Sequence, residues 1–280
     1  MKFSFQSIKI LIFPFLLTTF LNSQSYAATD TLSTYSAVMG KQIKTVVITP
    51  SEYSSSTKYP VVYMLHGYSG NYSDFVKKVP QMQEYADHFG MILVSADGNY
   101  GSWYWDSPVE KSSQYETYVS SELISFVDKN YSTIATPESR AITGLSMGGH
   151  GALYLAIRHP EVFGAMGSMS GGVDIMPFPE NWEMKKYLGI KAENSRRWED
   201  YSVLGQLNKL IPNRQQLIIT CGTDDFFYQV NLKLHEKLTY NNIPHTFISN
   251  PGAHTWDYWN DAIPYQLQFF HIFFENQPKS

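Results

Sequence analysis

Short apolar segments alternate with amphipathic stretches along most of this chain of 280 residues. Strands that are covered on both faces read as continuous apolar runs, and helices between such strands are typical of a parallel sheet. The alternation therefore predicts an α/β fold with a mostly parallel central sheet flanked by helices. The candidate strands are IKTVVIT, YPVVYMLHG, MILVSAD, RAITGLS, AMGSMSG, QLIITCG and HTFISN. The candidate helices lie near residues 73–89, 113–130, 147–159, 227–240 and 258–275.

One segment interrupts this alternation. Residues 173–212 carry Trp182, Tyr187, Trp198 and Tyr201 among many charges and have no strand pattern. We predict that they form a helical insertion over one edge of the sheet, before the strand QLIITCG. Because the segment leaves the sheet at the carboxyl end of a strand, we expect it to form one wall of the substrate pocket. No linker or repeat divides the rest, so residues 28–280 are predicted to be a single domain.

The first 27 residues have the pattern of a secretory signal peptide. Lysines come first, an apolar stretch covers residues 8–21, and Ser25 and Ala27 are the small residues expected at a cleavage site. Pro14 interrupts the apolar stretch, which is short for a bilayer span. We therefore expect cleavage after Ala27 and a secreted or periplasmic protein. An uncleaved membrane anchor is the alternative.

Charge and cysteine content argue against several kinds of partner and site. The formal net charge is −4, and removal of residues 1–27 takes away Lys2 and Lys9 but no acidic residue. An acidic chain favours neither nucleic acid nor, after signal cleavage, an anionic membrane as partner. Cys221 is the only cysteine, and there is no H-E-x-x-H motif. We therefore expect no metal ion and no other cofactor.

The segment AITGLSMGGHGAL places Ser146 where an apolar strand passes into a helix. A G-x-S-x-G turn at this point allows a strained backbone that exposes the serine hydroxyl. Side chains at positions 144 and 148 would collide with the neighbouring strand and helix, which explains the glycines. We predict that Ser146 is a nucleophile. The alternative is a glycine turn required only for packing.

A serine hydroxyl is a weak nucleophile, and it needs a histidine base and an acid that orients the histidine. His254, in NPGAHTWDYW, follows the last strand and precedes a helix, at the same sheet edge as the serine. His235 within a helical pattern and His245 at the beginning of a strand are less suitable. The segment TCGTDDFF offers two acids, Asp224 and Asp225, and the residues alone leave both open.

The oxyanion of acyl transfer needs hydrogen-bond donors that are in place before it forms. The first candidate is the backbone N–H of Met147, which follows the nucleophile at the start of the helix. We expect the second at Tyr68, in the loop that ends the segment YMLHGYSG, where His66 and Gly67 would shape the turn. The alternative is an ordinary glycine turn after a strand.

The motifs LHGYSG, GLSMGGHGAL, CGTDD and GAHTWDYW occur in this order along the chain. In this respect the chain resembles the esterase branch of the α/β-hydrolases that contains feruloyl, acetyl-xylan and tributyrin esterases, S-formylglutathione hydrolases and mycolyltransferases. The resemblance implies an α/β-hydrolase fold, with Ser146 as nucleophile, His254 as base and Asp225, three residues after Gly222, as orienting acid. The signal peptide and the loop at LHGYSG depart from S-formylglutathione hydrolases, which makes a glutathione thioester a poorer candidate substrate.

Aromatic residues are concentrated near the predicted active edge. NYGSWYWDSP contains Trp103 and Trp105, and Trp256 lies two residues after His254. Aromatic faces stack well on sugars and phenolic acids, so we predict that these three tryptophans bind substrate.

The leading hypothesis is a secreted serine carboxylesterase for small acyl or aromatic acyl esters, including acetyl or feruloyl esters of carbohydrates. Acyl transfer to a sugar acceptor and thioesterase activity on S-formylglutathione are alternatives. A non-catalytic carbohydrate-binding module on an inactive hydrolase fold is a further alternative, from a different functional class. The sequence makes no prediction about oligomeric state.

Overall fold

The structure, a computed structural model, describes residues 29–277, and these form a sheet of eight strands. In chain order the strands are β1 (Thr29–Ser36), β2 (Lys41–Ile48), β3 (Val61–Leu65), β4 (Ile92–Ala96), β5 (Arg140–Gly144), β6 (Ala165–Met169), β7 (Gln216–Gly222) and β8 (Thr246–Asn250). In space their order is β1-β2-β4-β3-β5-β6-β7-β8. The predicted signal peptide and its cleavage site lie outside the described residues.

The sheet is mostly parallel, as predicted. Strand β2 runs antiparallel to both of its neighbours, and every other neighbouring pair is parallel. Six of the seven predicted segments contain a strand, and the seventh, IKTVVIT, overlaps β2, which begins two residues earlier. Strand β1 was not predicted, because its sequence TDTLSTYS lacks a continuous apolar run and its residues alternate between more and less exposed positions. An outer strand with one solvated face has this alternating pattern.

Helices lie before and after most of the parallel strands. They are α1 (Asp74–Lys78), α2 (Met82–Phe89), α3 (Tyr115–Thr117), α4 (Leu123–Asn130), α5 (Met147–Arg158), α6 (Met184–Leu188), α7 (Ser195–Asp200), α8 (Val203–Gln206), α9 (Tyr228–Tyr240) and α10 (Trp256–Glu275), with a π-helical turn at Tyr118–Glu122 and 3₁₀ turns at Pro137–Ser139 and Leu207–Lys209. None of the helices between residues 29 and 277 has the length and apolar character of a membrane span.

The helix predicted near residues 73–89 is two helices in the structure. Pro80 lies between them, and Val79 has an extended backbone with φ −124° and ψ 90°. The residue before a proline is disfavoured in the helical region, so the first helix ends there. The prediction missed this break because the apolar pattern continues through it.

Alternate residues of the central strands pack on opposite faces of the sheet. In β3, Val61, Tyr63 and Leu65 belong to one hydrophobic cluster, whereas Val62 and Met64 belong to the other. The first cluster includes side chains of α4, α5 and α9, and the second includes side chains of α2 and α10. Both faces are therefore covered, and the carboxyl ends of the strands are left to form a site.

The segment 173–212 contains the three short helices α6, α7 and α8. Its buried side chains Tyr187, Trp198 and Val203 belong to the same hydrophobic cluster as residues of α5. The Tyr201 hydroxyl donates a hydrogen bond to the backbone oxygen of Asp106, 3.0 Å away. The helical insertion therefore lies on the α5 face and extends to the loop after β4.

Candidate active site

Ser146 lies in a sharp turn between β5 and α5, with φ 55° and ψ −118°. A non-glycine residue with this conformation is strained, and such strain is common at active sites. A Cβ added at Gly144 would lie 2.5 Å from the carbonyl carbon of Gly148. A Cβ added at Gly148 would overlap the backbone oxygen of Leu65 in β3. Both glycines are thus required by close backbone approach, as the sequence predicted.

Ser146 begins a chain of hydrogen bonds that passes through His254 to Asp225. The Ser146 hydroxyl lies 2.8 Å from His254 Nε2, and His254 Nδ1 lies 2.8 Å from Asp225 Oδ2. The Asp225 side chain is fully buried. Its Oδ1 also accepts the backbone N–H of Phe227 at 2.8 Å. The buried carboxylate accepts a hydrogen bond from the Nδ1–H of His254, so the lone pair of Nε2 faces the serine hydroxyl. His254 can therefore take up the proton of Ser146.

The structure distinguishes between the two candidate acids. Asp225 contacts His254, whereas the neighbouring Asp224 is exposed to solvent. The Asp224 backbone N–H donates to the oxygen of Gly252, 2.9 Å away, and the Thr223 N–H donates to Asn250 at 2.9 Å. These bonds continue the β7–β8 pairing beyond the strand ends. They hold the loop of Asp225 against the loop of His254.

The backbone N–H groups of Met147 and Tyr68, both predicted as donors, have no hydrogen-bond acceptor among residues 29–277. Met147 is the first residue of α5, where an N–H has no partner within the helix. Tyr68 lines the same pocket as Ser146. A Cβ added at Gly67 would lie 3.3 Å from the Cβ of Ser146, so the Tyr68 loop passes directly beside the serine. Both predicted donors therefore belong to segments that adjoin Ser146.

The side chain of His66 connects the Tyr68 loop to the loop after β4 through two hydrogen bonds. Its Nδ1–H donates to the oxygen of Gly67 at 2.8 Å, and its Nε2 accepts the N–H of Gly98 at 2.7 Å. Burial lowers the pKa of His66, which keeps the ring neutral and able to make both bonds. The predicted role of His66 in shaping the turn agrees with these contacts.

A pocket of about 270 Å³ opens above Ser146 and His254. Its walls include Tyr68, Leu145, Trp182, Phe226, Trp256 and Trp259. Trp256 was predicted to bind substrate and is present in the wall.

The positions of Trp103 and Trp105 correct the prediction that they contact substrate. Both are buried, with exposed fractions of 1% and 0%, and neither lines the pocket. Their rings stack on each other at 5.6 Å, and Trp105 Nε1–H donates to His150 Nε2 at 3.0 Å. The insertion covers both residues. The prediction missed this because the aromatic cluster is a local feature of the sequence, whereas the covering residues are distant in the chain.

Trp182 and Phe226 take the place of those residues in the pocket wall. Their rings stack with centroids 5.9 Å apart, and the Phe226 ring lies 4.2 Å from that of His254. The sequence predicted no individual role for either residue, although Trp182 belongs to the insertion that was expected to form one wall of the pocket. Two features of the sequence could have identified them: Phe226 directly follows Asp225, and Trp182 lies within the insertion.

A metal-binding group or another pocket with catalytic side chains would be an alternative site elsewhere in residues 29–277. Within residues 29–277 there is no group of three or more His, Cys, Asp or Glu side chains that could hold a metal ion. A larger pocket of about 660 Å³ lies at the amino ends of β6 and β7, lined in part by Gly164, Arg214 and Phe273. Its lining residues include no serine, cysteine or histidine. The hydrogen-bonded chain at Ser146 is therefore the better candidate active site.

Comparison with known proteins agrees with this geometry. Residues 36–270 match the family described as "Putative esterase". An acetyl esterase of Caldicellulosiruptor saccharolyticus is 27% identical, over 74% of this chain and 82% of that protein. An S-formylglutathione hydrolase of Arabidopsis thaliana is 25% identical, over 78% and 83% of the two chains.

A solved structure of a ferulic acid esterase superposes with a TM-score of 0.77 and 26% identity, covering 88% of this chain and 98% of that one. The fold of the present chain is that of the α/β-hydrolases. The family match extends from the end of β1 to within α10. The chain therefore belongs to this esterase family.

Proposed function

We propose that this protein is a serine carboxylesterase that hydrolyses small acyl or aromatic acyl esters through an acyl-enzyme. Ser146 is the nucleophile, His254 the general base and Asp225 the acid that orients His254. The observation that carries the proposal is the continuous hydrogen-bonded chain of these residues, with 2.8 Å from Ser146 Oγ to His254 Nε2 and 2.8 Å from His254 Nδ1 to Asp225 Oδ2.

The reaction follows from this arrangement. Ser146 Oγ attacks the carbonyl carbon of the ester while its proton passes to His254 Nε2. The backbone N–H groups of Met147 and Tyr68 stabilise the tetrahedral oxyanion. The intermediate collapses, the bond to the alcohol oxygen breaks, and His254 donates its proton to the leaving alcohol. Water then attacks the acyl-enzyme with His254 as base, and the carboxylic acid is released.

The substrates that fit best are acetyl or feruloyl esters carried by carbohydrates. A pocket of about 270 Å³ walled by indole and phenyl rings suits a small or aromatic acyl group. The family relatives named above include an acetyl esterase and a ferulic acid esterase, which supports this class. Secretion or export to the periplasm is part of the proposal, and it depends on the signal pattern of residues 1–27. A mature protein whose first residue is Ala28, identified by mass spectrometry, would support export.

The deciding experiment measures kcat/KM of the purified protein for p-nitrophenyl acetate, methyl ferulate, acetylated xylobiose and S-formylglutathione. We expect turnover of the oxygen esters and its loss in Ser146→Ala, with Ser195→Ala, an exposed serine of α7, as the matched control. A fluorophosphonate should label Ser146. Unchanged turnover in Ser146→Ala would refute the proposal, and absence of any turnover would favour a binding module.

Acyl transfer to a sugar would proceed from the same acyl-enzyme. Product analysis with and without a sugar acceptor separates it from hydrolysis. Formation of a new sugar ester in preference to the free acid would replace hydrolysis by transfer in this proposal.

A further inference from the structure

The insertion bends sharply beside the pocket. Trp182 and Glu183 both have left-handed backbones, with φ 47° and 55°. Neither residue is a glycine or an asparagine, so two consecutive strained residues persist only because surrounding contacts impose them. The strain turns two neighbouring side chains toward the rim of the site.

Trp182 is held from both sides. The indole N–H of Trp103 donates to the backbone oxygen of Trp182 at 3.4 Å. The Trp182 ring stacks on Phe226 and lies 5.1 Å from the ring of Phe227. Since Phe226 also contacts the ring of His254, an aromatic wall runs continuously from the insertion to the candidate base.

Glu183 lies on the other side of the same bend, beside Tyr68. A Cβ added at Gly101 would lie 2.9 Å from Tyr68 Cε2 and 3.6 Å from Glu183 Oε2, so these three groups meet at the rim. The ring of Tyr100 packs edge-on against that of Tyr68, with centroids 4.8 Å apart, and is 54% exposed. Burial and, after it, the charge of Glu183 raise the pKa of Tyr68.

The Glu183 carboxylate has no ion pair and no side-chain hydrogen bond among residues 29–277. Other acids nearby are paired: Glu180 lies 2.7 Å from Lys185, and Asp74 lies 3.7 Å from Lys78. The Asp74 carboxylate therefore offsets the charge of Lys78, which also lines the pocket. The acceptor oxygens of Glu183 remain open to a ligand.

From these contacts, and on the basis of the proposed esterase function, we propose that Tyr68, Tyr100, Trp182 and Glu183 form a subsite for an uncharged, hydroxyl-bearing part of the ester. The C–H faces of a sugar ring pack against the aromatic rings, and its hydroxyl groups donate to Glu183. The same carboxylate repels substrates that carry a carboxylate of their own. The subsite thus selects by charge as well as by shape.

The test compares Glu183→Gln with Glu180→Gln, a matched glutamate of the same insertion that forms only a surface ion pair. Hydrogen bonds to charged groups are strong, so we expect Glu183→Gln to lower kcat/KM for acetylated xylobiose about tenfold. The small ester p-nitrophenyl acetate should change less than about twofold. The anionic ester p-nitrophenyl hemisuccinate should be hydrolysed about threefold faster at low salt, and about 0.5 M NaCl should reduce this gain. Glu180→Gln should change none of these values.

Two outcomes would overturn the subsite. In one, Glu183→Gln lowers turnover of p-nitrophenyl acetate as much as that of acetylated xylobiose. In the other, no substrate distinguishes Glu183→Gln from Glu180→Gln.

A binding measurement keeps the subsite testable if the esterase proposal fails. Titration of acetylated xylobiose into Ser146→Ala and into Ser146→Ala/Glu183→Gln, followed by tryptophan fluorescence, needs no turnover. We expect about tenfold weaker binding in the double variant. Equal affinities of the two variants would reject the subsite, whether or not the protein is an esterase. If the double variant binds more weakly but the wild-type protein shows no turnover, only the esterase proposal is rejected.

Discussion

At the scale of single residues, chemistry is concentrated where the backbone is strained. Ten described non-glycine residues have positive φ. Among them, Ser69, Ser146 and Trp182 line one pocket, and Glu183 follows Trp182 in the chain. Strain of this kind persists where packing imposes it, and it can aim a hydroxyl or an aromatic ring in a direction that regular structure does not allow.

Ser146→Ala is expected to lower kcat for p-nitrophenyl acetate by roughly 10⁶-fold. The hydroxyl contributes the attacking atom and little packing, so the fold should persist. Steady-state kinetics measure the loss, and an unchanged circular dichroism spectrum and melting temperature are the control. A residual rate within about tenfold of the wild type would mean that another residue is the nucleophile.

The two neighbouring aspartates should behave very differently. Asp225→Asn is expected to lower kcat by roughly 10⁴, because an amide no longer holds His254 in the tautomer that faces Ser146. Asp224→Asn should have little effect, since Asp224 is exposed. If the two effects were reversed in parallel kinetics, Asp224 would be the orienting acid and the esterase proposal would stand.

At the scale of elements, the insertion determines the shape of the pocket. Deleting residues 173–212 would expose the buried Trp103 and Trp105, so a single substitution is the better test of the wall. Trp182→Ala should lower kcat/KM for acetylated xylobiose about tenfold relative to p-nitrophenyl acetate, because the sugar ring loses a packing surface. Trp182→Phe should restore most of the difference. If the ratio of the two substrates did not change in Trp182→Ala, the wall would have only a structural role.

The close approach of α5 to β3 gives a second prediction at this scale. Gly148→Ala places a Cβ against the backbone oxygen of Leu65. Overpacking of this kind lowers the free energy of unfolding by about 1–3 kcal/mol. The higher helix propensity of alanine relative to glycine offsets only part of this loss. The displacement of α5 also moves the Met147 N–H, so urea unfolding and kcat should both be affected. A more stable variant would contradict the close packing.

At the scale of the whole molecule, two buried neutral histidines make the fold sensitive to acid. Burial lowers the pKa of His150 to about 4, and burial also lowers that of His66. The unfolded chain takes up a proton near the ordinary value of 6.5, whereas folded His150 takes it up only near 4. His150 therefore contributes stability that is complete above about pH 6.5 and is lost as the pH falls toward 4.

At about pH 5 this loss amounts to about 2 kcal/mol for His150. The opposing group is His159, whose pKa is raised, chiefly by its hydrogen bond to Glu116, and which therefore favours the fold at low pH. Urea unfolding at about pH 7 and pH 5 should detect the decrease. His150→Asn should be less stable at neutral pH but lose less on acidification. An equal loss in the variant would exclude His150 as a source of the acid sensitivity.

The sequence by itself determined the layers of the fold and the central residues of the candidate site. Apolar runs identify buried strands because burial on two faces favours apolar side chains. The G-x-S-x-G turn identifies Ser146 because backbones approach both glycines too closely for a side chain. The rule that parallel strands end at one edge brought His254 and the pair Asp224 and Asp225 to the same place.

Only the tertiary structure decided which side chains reach that place. Asp225 was preferred by resemblance, and the loop between β7 and α9 turns it, and not Asp224, toward His254. Trp103 and Trp105 resemble a ligand platform in the sequence, but the insertion buries them and presents Trp182 instead. Hydropathy patterns report the local period of burial, whereas cover by a distant segment depends on contacts between residues far apart in the chain, and those contacts leave no periodic signal.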